Sequence, residues 1–229
     1  MIKAWANKKM RILCLHGRRQ SGVTLAKKLF DGSLCELEQK ANQTSLIRLT
    51  GYDFVFIDGP YVATADLPKL AKARQVSCDM FSWWGDSSDD GSRALEAIDR
   101  AQTSLGAFDA VLGFSQGGAL AASLCRNSSK MQPVAAIFLS AYYFDGFPLP
   151  VLIKPRAGEP VMEGIHSLHV WGEKDQVVSP NKSKELCEWM KGDAFPIQGG
   201  HAAPPPPWAE NVLVKWLDDK FQNSVKQII

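Results

Sequence analysis

The segment "VLGFSQGGALAA", residues 111–122, contains the pattern GxSxG at Gly113, Ser115 and Gly117. A short apolar run leads directly into this pattern, and the small-residue segment "QGGALAASL" leads directly out of it. A serine at a strained strand-to-helix turn needs this arrangement, because flanking glycines let the strand and the helix pass closely. The pattern predicts a nucleophile elbow with Ser115 at its tip. The alternative is an ordinary turn in which Ser115 caps the helix.

Apolar runs alternate with helical patterns along the chain. The predicted strands are "RILCLH" (11–16), "YDFVFIDGP" (52–60), "FDAVLGF" (108–114), "PVAAIFLS" (133–140) and "IHSLHVWG" (165–172). The predicted helices cover about 22–30 and 92–105 and begin near Gln116, Pro180 and Trp208. Ser92 is the expected N-cap of the second helix. Near-continuous apolar strands separated by helices predict an α/β fold with a mostly parallel central sheet covered by helices on both faces.

The composition bounds the size and the class of the protein. A chain of 229 residues with 45% hydrophobic and 22% charged residues can bury one large core. We expect a single domain, 1–229, with an irregular cap-like insertion at about 60–91. The 26 basic and 24 acidic residues are interleaved and give a net charge of +2, so nothing indicates a nucleic-acid partner.

The cysteines and the apolar runs bear on location. The five cysteines are widely spaced and form no CxxC pair, which fits neither a disulfide framework nor a structural zinc site. We therefore expect free thiols in a reducing cytoplasm. No apolar run approaches the roughly 18 residues of a membrane span, and the basic N-terminal segment is not followed by a signal-like apolar region.

A serine nucleophile needs a histidine base and a carboxylate that orients this base. In chains with such an elbow the acid and then the histidine follow the serine. Asp175 lies in "VWGEKDQVV" after a predicted strand, and His201 lies in "PIQGGHAAP". Asp145 is the rival acid, and Asp175 is preferred because the acid usually follows the strand before the histidine loop. An ordinary turn aspartate is the alternative for Asp175.

The remaining histidines are poorer candidates for a base. His16 ends a predicted strand, and we expect it to form a local hydrogen bond. His166 and His169 are three residues apart on a strand, so their side chains should face opposite ways. This spacing argues against a metal pair, and we predict no metal.

The segment "CLHGRRQSGVT", residues 14–24, matches the phosphate-loop frame GxxxxGK[ST] from Gly17, except that Val23 replaces the lysine. An oxyanion hole needs a similar loop, because one N–H donor comes from the residue after the nucleophile and one from a loop after an early strand. The expected donors are the backbone N–H groups of Gln116 and Arg18. A nucleotide-binding protein that uses another lysine is the alternative.

Aromatic residues in two segments are candidates for a substrate pocket. They are Phe81, Trp83 and Trp84 in "CDMFSWWGDSSDD", and Tyr142, Tyr143, Phe144 and Phe147 in "SAYYFDGFP". Such residues could line an acyl pocket or could pack in a cap or core. Arg18 and Arg19 could instead select an anionic ester, or could tie down their loop by a salt bridge.

The segments "LCLHGRRQSG", "VFIDGP", "FDAVLGFSQGG", "WGEKDQVV" and "GGH", in this order, resemble the FSH serine hydrolase family of α/β-hydrolases. The resemblance runs from about Met10 to Leu217, and "HGxRQ" and "GFSQGG" are its most specific parts. It implies a cofactor-free esterase or thioesterase that forms a covalent acyl-enzyme, with Ser115 as nucleophile, Asp175 as acid and His201 as base. A catalytically silent binding protein of the same fold is the alternative.

Overall fold

The computed structural model describes residues 9–30, 38–40, 44–63, 80–85, 90–126, 130–143 and 164–222. The strands are β1 Met10–Leu15, β2 Glu38–Lys40, β3 Thr44–Leu49, β4 Tyr52–Ile57, β5 Tyr61–Val62, β6 Phe81–Ser82, β7 Ala110–Phe114, β8 Ala135–Leu139, β9 His166–Gly172 and β10 Asp193–Ile197. The helices are α1 Gly22–Leu29, α2 Ser92–Leu105, α3 Gln116–Leu124, α4 Pro180–Met190 and α5 Val214–Leu217. Two π-helical turns, Ala209–Leu213 and Asp218–Gln222, flank α5.

Eight strands form one sheet in the order β10-β9-β8-β7-β1-β4-β3-β2. The strands from β10 to β4 in this order pair in parallel, while β3 and β2 are antiparallel and form one edge. A separate antiparallel pair joins β5 to β6. The prediction of a mostly parallel sheet is confirmed, whereas the antiparallel strands β2 and β3 were not predicted.

The parallel strands other than β10 are buried on both faces of the sheet, whereas β10 at the edge is largely exposed. In β1, Leu13 and Leu15 belong to a cluster that includes residues of α2, α3 and α4. Ile12 and Cys14 point the other way, into a cluster with residues of α1 and of the C-terminal helical segment. Helices therefore cover both faces, as the near-continuous apolar strands predict.

One helix start differs from the prediction. The N-cap of α2 is Gly91, which has a left-handed φ of +71° and gives no side-chain cap, so the assignment of Ser92 as N-cap is wrong. Ser92 is instead the first helical residue, and its backbone N–H donates to Asp90 Oδ1 at 2.9 Å. The side chain that accepts a hydrogen bond at the start of α2 is therefore the Asp90 carboxylate, and not the Ser92 hydroxyl that the sequence predicts.

Several sequence predictions concern residues outside the described part of the chain. Asp145, Phe144, Phe147 and most of the expected insertion at 60–91 lie there, so the single-domain organisation stays a prediction. Among the described residues, no helix combines the length and the apolar character that crossing a bilayer requires.

The turn from β7 into α3 depends on close backbone contacts. A methyl group on Gly113 would overlap the carbonyl group of Gly117, and a methyl group on Gly117 would overlap the carbonyl oxygen of Leu15 at the end of β1. Both obstacles are backbone atoms, which cannot move aside as a flexible side chain can. Glycine is therefore required at both positions by close approach, as the elbow prediction expects.

We expect Gly117→Ala to destabilise the fold by about 2 to 3 kcal/mol, because overpacking against backbone outweighs the roughly 1 kcal/mol by which alanine favours a helix. Gly200→Ala is the matched control, since its nearest neighbour, the Lys174 carbonyl oxygen, would lie 3.8 Å from the new methyl group. We expect the control to change the free energy of unfolding by less than about 0.5 kcal/mol. Urea denaturation checks both values, and equal midpoints for the two variants would contradict the argument.

Candidate active site

Ser115 occupies a strained backbone conformation between β7 and α3. Its φ is +52° and its ψ is −114°, a region that costs of order 1 to 3 kcal/mol for a residue other than glycine. Its backbone N–H donates to the Leu139 carbonyl at 2.9 Å, which ties the turn to β8. Its side chain makes no capping hydrogen bond to α3, so the alternative of an ordinary N-cap is wrong.

The structure brings Ser115, His201 and Asp175 together in one hydrogen-bonded chain. His201 Nδ1 lies 2.8 Å from Asp175 Oδ2, and His201 Nε2 lies 2.9 Å from Ser115 Oγ. Because an ionised carboxylate only accepts hydrogen bonds, Nδ1 carries the proton of the neutral imidazole. The unprotonated Nε2 can then accept a hydrogen bond from the Ser115 hydroxyl. This tautomer is the one in which a histidine can take a proton from serine.

Asp175 is held as a buried carboxylate by several donors. Its Oδ1 accepts hydrogen bonds from the backbone N–H groups of Val177 and Val178, each at 2.9 Å. Burial raises the pKa of Asp175, but the hydrogen bond from His201 and the two backbone N–H donors outweigh it, so the pKa lies below its ordinary value. The carboxylate therefore stays ionised beside His201.

The aromatic ring of Phe114 packs against the imidazole of His201. The rings of Phe114 and His201 pack with their centroids 5.1 Å apart at an angle of 30°. On the same aromatic ring, the Lys28 ammonium lies 5.8 Å from the centroid, and burial lowers the pKa of this lysine. Sequence reasoning missed Phe114, although an aromatic residue directly before the candidate nucleophile was a usable signal.

The loop after β1 lies against the elbow. A methyl group on Gly17 would lie 3.4 Å from Ser115 Cβ and 2.8 Å from the Phe114 ring. Arg18 follows directly and is exposed. Gln116, the first residue of α3, has a backbone N–H with no acceptor inside the helix. The structure thus brings the loop of Arg18 and the backbone of Gln116 to the same side chain, Ser115.

His16 anchors the start of this loop. Its Nε2 accepts a hydrogen bond from the Gly59 N–H at 2.9 Å, so Nδ1 carries the proton and donates to the Gly17 carbonyl at 2.7 Å. Burial lowers the pKa of His16 to about 4, although the Gly17 carbonyl opposes this shift. The prediction of a local hydrogen bond is confirmed. His166 is exposed and His169 is buried, so the prediction of opposite orientations is also confirmed.

The predicted pocket aromatics occupy two kinds of environment. Phe81, Trp83 and Trp84 are buried, and the Trp83 backbone N–H and the Trp84 carbonyl both bond to the Gln116 side chain. These contacts favour the packing alternative for the two tryptophans. Tyr142 and Tyr143 are half-buried after β8, and Tyr143 packs edge-on against Trp189 with centroids 4.8 Å apart.

Two further observations concern the neighbourhood of Tyr142 and Phe81. Burial raises the pKa of Tyr142 to about 12, and the nearby guanidinium of Arg18 opposes this rise. Phe81 borders a cavity of about 710 Å³ between α2 and the segment after β4, and Ser115 and His201 are not among its lining residues. Phe81 thus lines a cavity that does not include the side chains of Ser115 and His201.

The phosphate-loop alternative finds little support at the start of α1. The backbone N–H of Gly22 donates to Asp58 Oδ1 at 2.6 Å, and that of Thr24 donates to Ser21 Oγ at 3.2 Å. Protein acceptors already occupy donors that would face a phosphate, and one of these acceptors is a carboxylate. With Val23 in place of the lysine, the segment has no cation at the position where a phosphate loop requires one.

Comparison with solved structures shows the fold. A carboxylesterase from Bacillus cereus superimposes with a TM-score of 0.57 at 18% identity, over 93% of this chain and 88% of that chain. Acyl-protein thioesterase 2 from Zea mays superimposes with a TM-score of 0.56 at 17% identity, over 93% of this chain and 94% of that chain. This chain therefore has the architecture of the α/β-hydrolases.

Comparison of sequences shows the family. Esterase CG5412 of Drosophila melanogaster is 28% identical over 240 residues, covering 96% of this chain and 78% of that protein. Esterase OVCA2 of Danio rerio is 31% identical over 218 residues, covering 85% of this chain and 90% of that protein. The family model described as Serine hydrolase (FSH1) matches residues 6–206. This chain therefore belongs to the FSH1 family of serine hydrolases and is a carboxylic ester hydrolase.

Proposed function

We propose that this protein cleaves carboxylic esters or thioesters through a covalent acyl-enzyme formed on Ser115. In this proposal His201 is the general base and Asp175 is the acid that orients it. The observation that carries the proposal is the hydrogen-bonded chain from Ser115 Oγ through His201 to Asp175, with distances of 2.9 and 2.8 Å. These three groups come from loops after β7, β10 and β9.

The first half of the reaction transfers the acyl group to the enzyme. Ser115 Oγ attacks the carbonyl carbon while its proton passes to His201 Nε2, and the carbonyl oxygen becomes an oxyanion. The ionised Asp175 stabilises the imidazolium that forms. Collapse of the tetrahedral intermediate breaks the bond to the leaving alcohol or thiol, which takes the proton from His201. Water then repeats the sequence on the acyl-enzyme, releases the acid and restores Ser115.

The oxyanion would be bound by the backbone N–H groups of Arg18 and Gln116. The support for this assignment is the packing of Gly17 against Ser115 and the position of Gln116 at the start of α3. A helix N-terminus adds a favourable partial charge for a developing anion. Both donors belong to the main chain, so they can be fixed before substrate binds.

We propose an acyl ester as the substrate, with Tyr142 and Tyr143 as pocket residues. Both are half-buried after β8, on the edge of the sheet where Ser115 emerges. A second candidate is a small anionic ester, because two cations lie near Tyr142. The charge of Arg18 opposes the rise that burial causes in the pKa of Tyr142, and the Lys182 ammonium lies 6.0 Å from the centre of the Tyr142 ring. The two candidates differ in the charge of the acyl group.

The buried thiols do not compete with Ser115 as nucleophiles. Cys14 and Cys125 are fully buried, and burial raises the pKa of each thiol above its ordinary value. Thiolates, which are the reactive form, are therefore scarce at these positions. The described cysteines Cys14, Cys125 and Cys187 are unpaired, which supports our proposal of a reducing, cytoplasmic location.

Ser115→Ala should fold normally and lose turnover by about 10⁶-fold, because the nucleophile is removed while the elbow is kept. Ser123→Ala is the matched control, since Ser123 is a buried serine of α3 whose hydroxyl donates back to the Leu120 carbonyl. We expect the control to keep its turnover and its labelling by a fluorophosphonate. Hydrolysis by Ser115→Ala at the wild-type rate would exclude the proposed mechanism.

Asp175→Asn should reduce turnover by about 10⁴-fold, because an amide does not hold the imidazole in the tautomer with the proton on Nδ1. Asp145→Asn should have a mild effect, since we do not assign this carboxylate to the reaction. Steady-state kinetics of both variants, each with an unchanged melting temperature, rank the two acids. The reverse ranking would assign the acid to Asp145.

The charge of the preferred acyl group can be measured with matched esters. We expect turnover of neutral p-nitrophenyl esters to rise from the acetate to medium chain lengths, and p-nitrophenyl hexanoate to be preferred over the adipate monoester. These two substrates differ in a terminal carboxylate on acyl chains of equal length. A preference for the adipate monoester that is lost in Arg18→Ala would favour the anionic candidate. Arg18→Ala is informative because it removes the guanidinium and keeps the backbone N–H.

A further inference from the structure

We propose that Trp83 and the side chain of Gln116 are positioning residues that keep the two oxyanion donors, the backbone N–H groups of Arg18 and Gln116, at a fixed position relative to each other. The proposal rests on the function proposed above. It assigns a role in turnover to a buried segment, residues 81–84, that supplies no group to the reacting atoms. We call this segment the brace.

The first link joins the brace to the loop after β1. The indole Nε1–H of Trp83 donates to the His16 carbonyl at 2.8 Å, and the two rings pack with centroids 5.1 Å apart. Gln20 and Phe81 exchange a pair of backbone hydrogen bonds of 3.3 and 2.7 Å. The brace thus binds this loop on both sides of Arg18, the residue that would supply one donor.

The second link joins the brace to the elbow. The Gln116 side chain is buried, its Oε1 accepts from the Trp83 backbone N–H at 2.9 Å, and its Nε2 donates to the Trp84 carbonyl at 3.3 Å. Gln116 is also the residue whose backbone N–H would be the other donor. One amide side chain therefore fixes the first turn of α3 to the same segment that holds the opposite loop.

The brace also packs closely against the loop after β4. A methyl group on Gly59 would overlap the Ser82 carbonyl oxygen, and the Gly59 N–H donates to His16 Nε2 at 2.9 Å. Trp83 is completely buried. A shift of Trp83 would consequently disturb the placement of both donors relative to Ser115, because Trp83 is hydrogen-bonded to the His16 carbonyl and to the Gln116 side chain.

The role in positioning makes a kinetic prediction that simple packing does not. Oxyanion donors act on charge that develops in the transition state, so a displaced donor lowers kcat more than it raises KM. Packing loss alone lowers stability and leaves the chemistry of the folded fraction unchanged. The difference can be read from kcat, from KM and from the affinity for a trifluoromethyl ketone, whose carbonyl becomes an oxyanion when Ser115 Oγ bonds to it and the proton passes to His201.

The experiment compares two variants with one matched control. Trp83→Phe removes the indole N–H and keeps an aromatic ring, and Gln116→Met removes the amide and keeps the length of the side chain and the backbone N–H. Trp208→Phe is the control, because Trp208 is also a buried tryptophan but its indole N–H has no acceptor among the described residues. All three proteins are assayed below their melting temperatures.

We expect Trp83→Phe and Gln116→Met each to lower kcat by roughly 10- to 100-fold with KM within about threefold, less than the 10²- to 10³-fold cost of losing one donor. The affinity for the trifluoromethyl ketone should fall by the same factor as kcat. Trp208→Phe should keep both values. If Trp83→Phe does not fold, Gln116→Met alone decides.

The proposal is overturned if the folded variants keep the kcat and the ketone affinity of Trp208→Phe, or if KM rises while kcat is unchanged. Its failure is distinct from failure of the proposed function. If only the positioning role fails, Ser115→Ala is inactive and the brace variants behave like the control. If the proposed function fails, Ser115→Ala itself remains active.

Discussion

The site depends on the close approach of α3 to the end of β1. Gly117 lies so near the Leu15 carbonyl that no side chain fits between them. Because β1 and β7 are adjacent parallel strands, this contact places the loop after β1 beside the turn after β7. The strained backbone of Ser115, the packing of Gly17 on Phe114 and the start of α3 are consequences of one narrow crossing of two backbones.

The parallel sheet extends this arrangement to groups that are distant in sequence. Ser115 and His201 are 86 residues apart and Asp175 is 26 residues from His201, yet their side chains are in hydrogen-bond contact. Each follows the carboxyl end of a strand, and parallel strands have their carboxyl ends at one edge of the sheet. The positions of these three side chains therefore depend on the core, since buried apolar side chains pack on both faces of the sheet.

Patterns that involve neighbouring residues were predictable from the sequence. The apolar runs identify the parallel strands other than β10, because these strands are buried on both faces, and GxSxG identifies the turn because its glycines meet a local steric requirement. The contacts of the Gln116 side chain with Trp83, 33 residues away, leave no comparable pattern. The same limit applies to the aromatic residues Phe81, Trp83 and Trp84. Their sequence does not distinguish a residue that lines a pocket from one that packs in the core. The antiparallel β2 and β3 form one edge of the sheet, and the polar residues Thr44, Ser45 and Arg48 interrupt the apolar pattern of β3.

The neutral state of His16 has a consequence for the acid tolerance of the whole protein. A histidine with a pKa of about 4 in the folded chain and about 6.5 when unfolded binds its proton preferentially in the unfolded chain. Its contribution to stability is therefore complete above pH 6.5 and declines as the pH falls towards 4, by at most about 1.4 kcal/mol per pH unit. Protonation would also set an Nε2–H against the Gly59 N–H, two donors with no acceptor between them. The imidazole that anchors the loop after β1 thus binds a proton less readily in the folded chain than in the unfolded chain, and acidification favours unfolding through this residue.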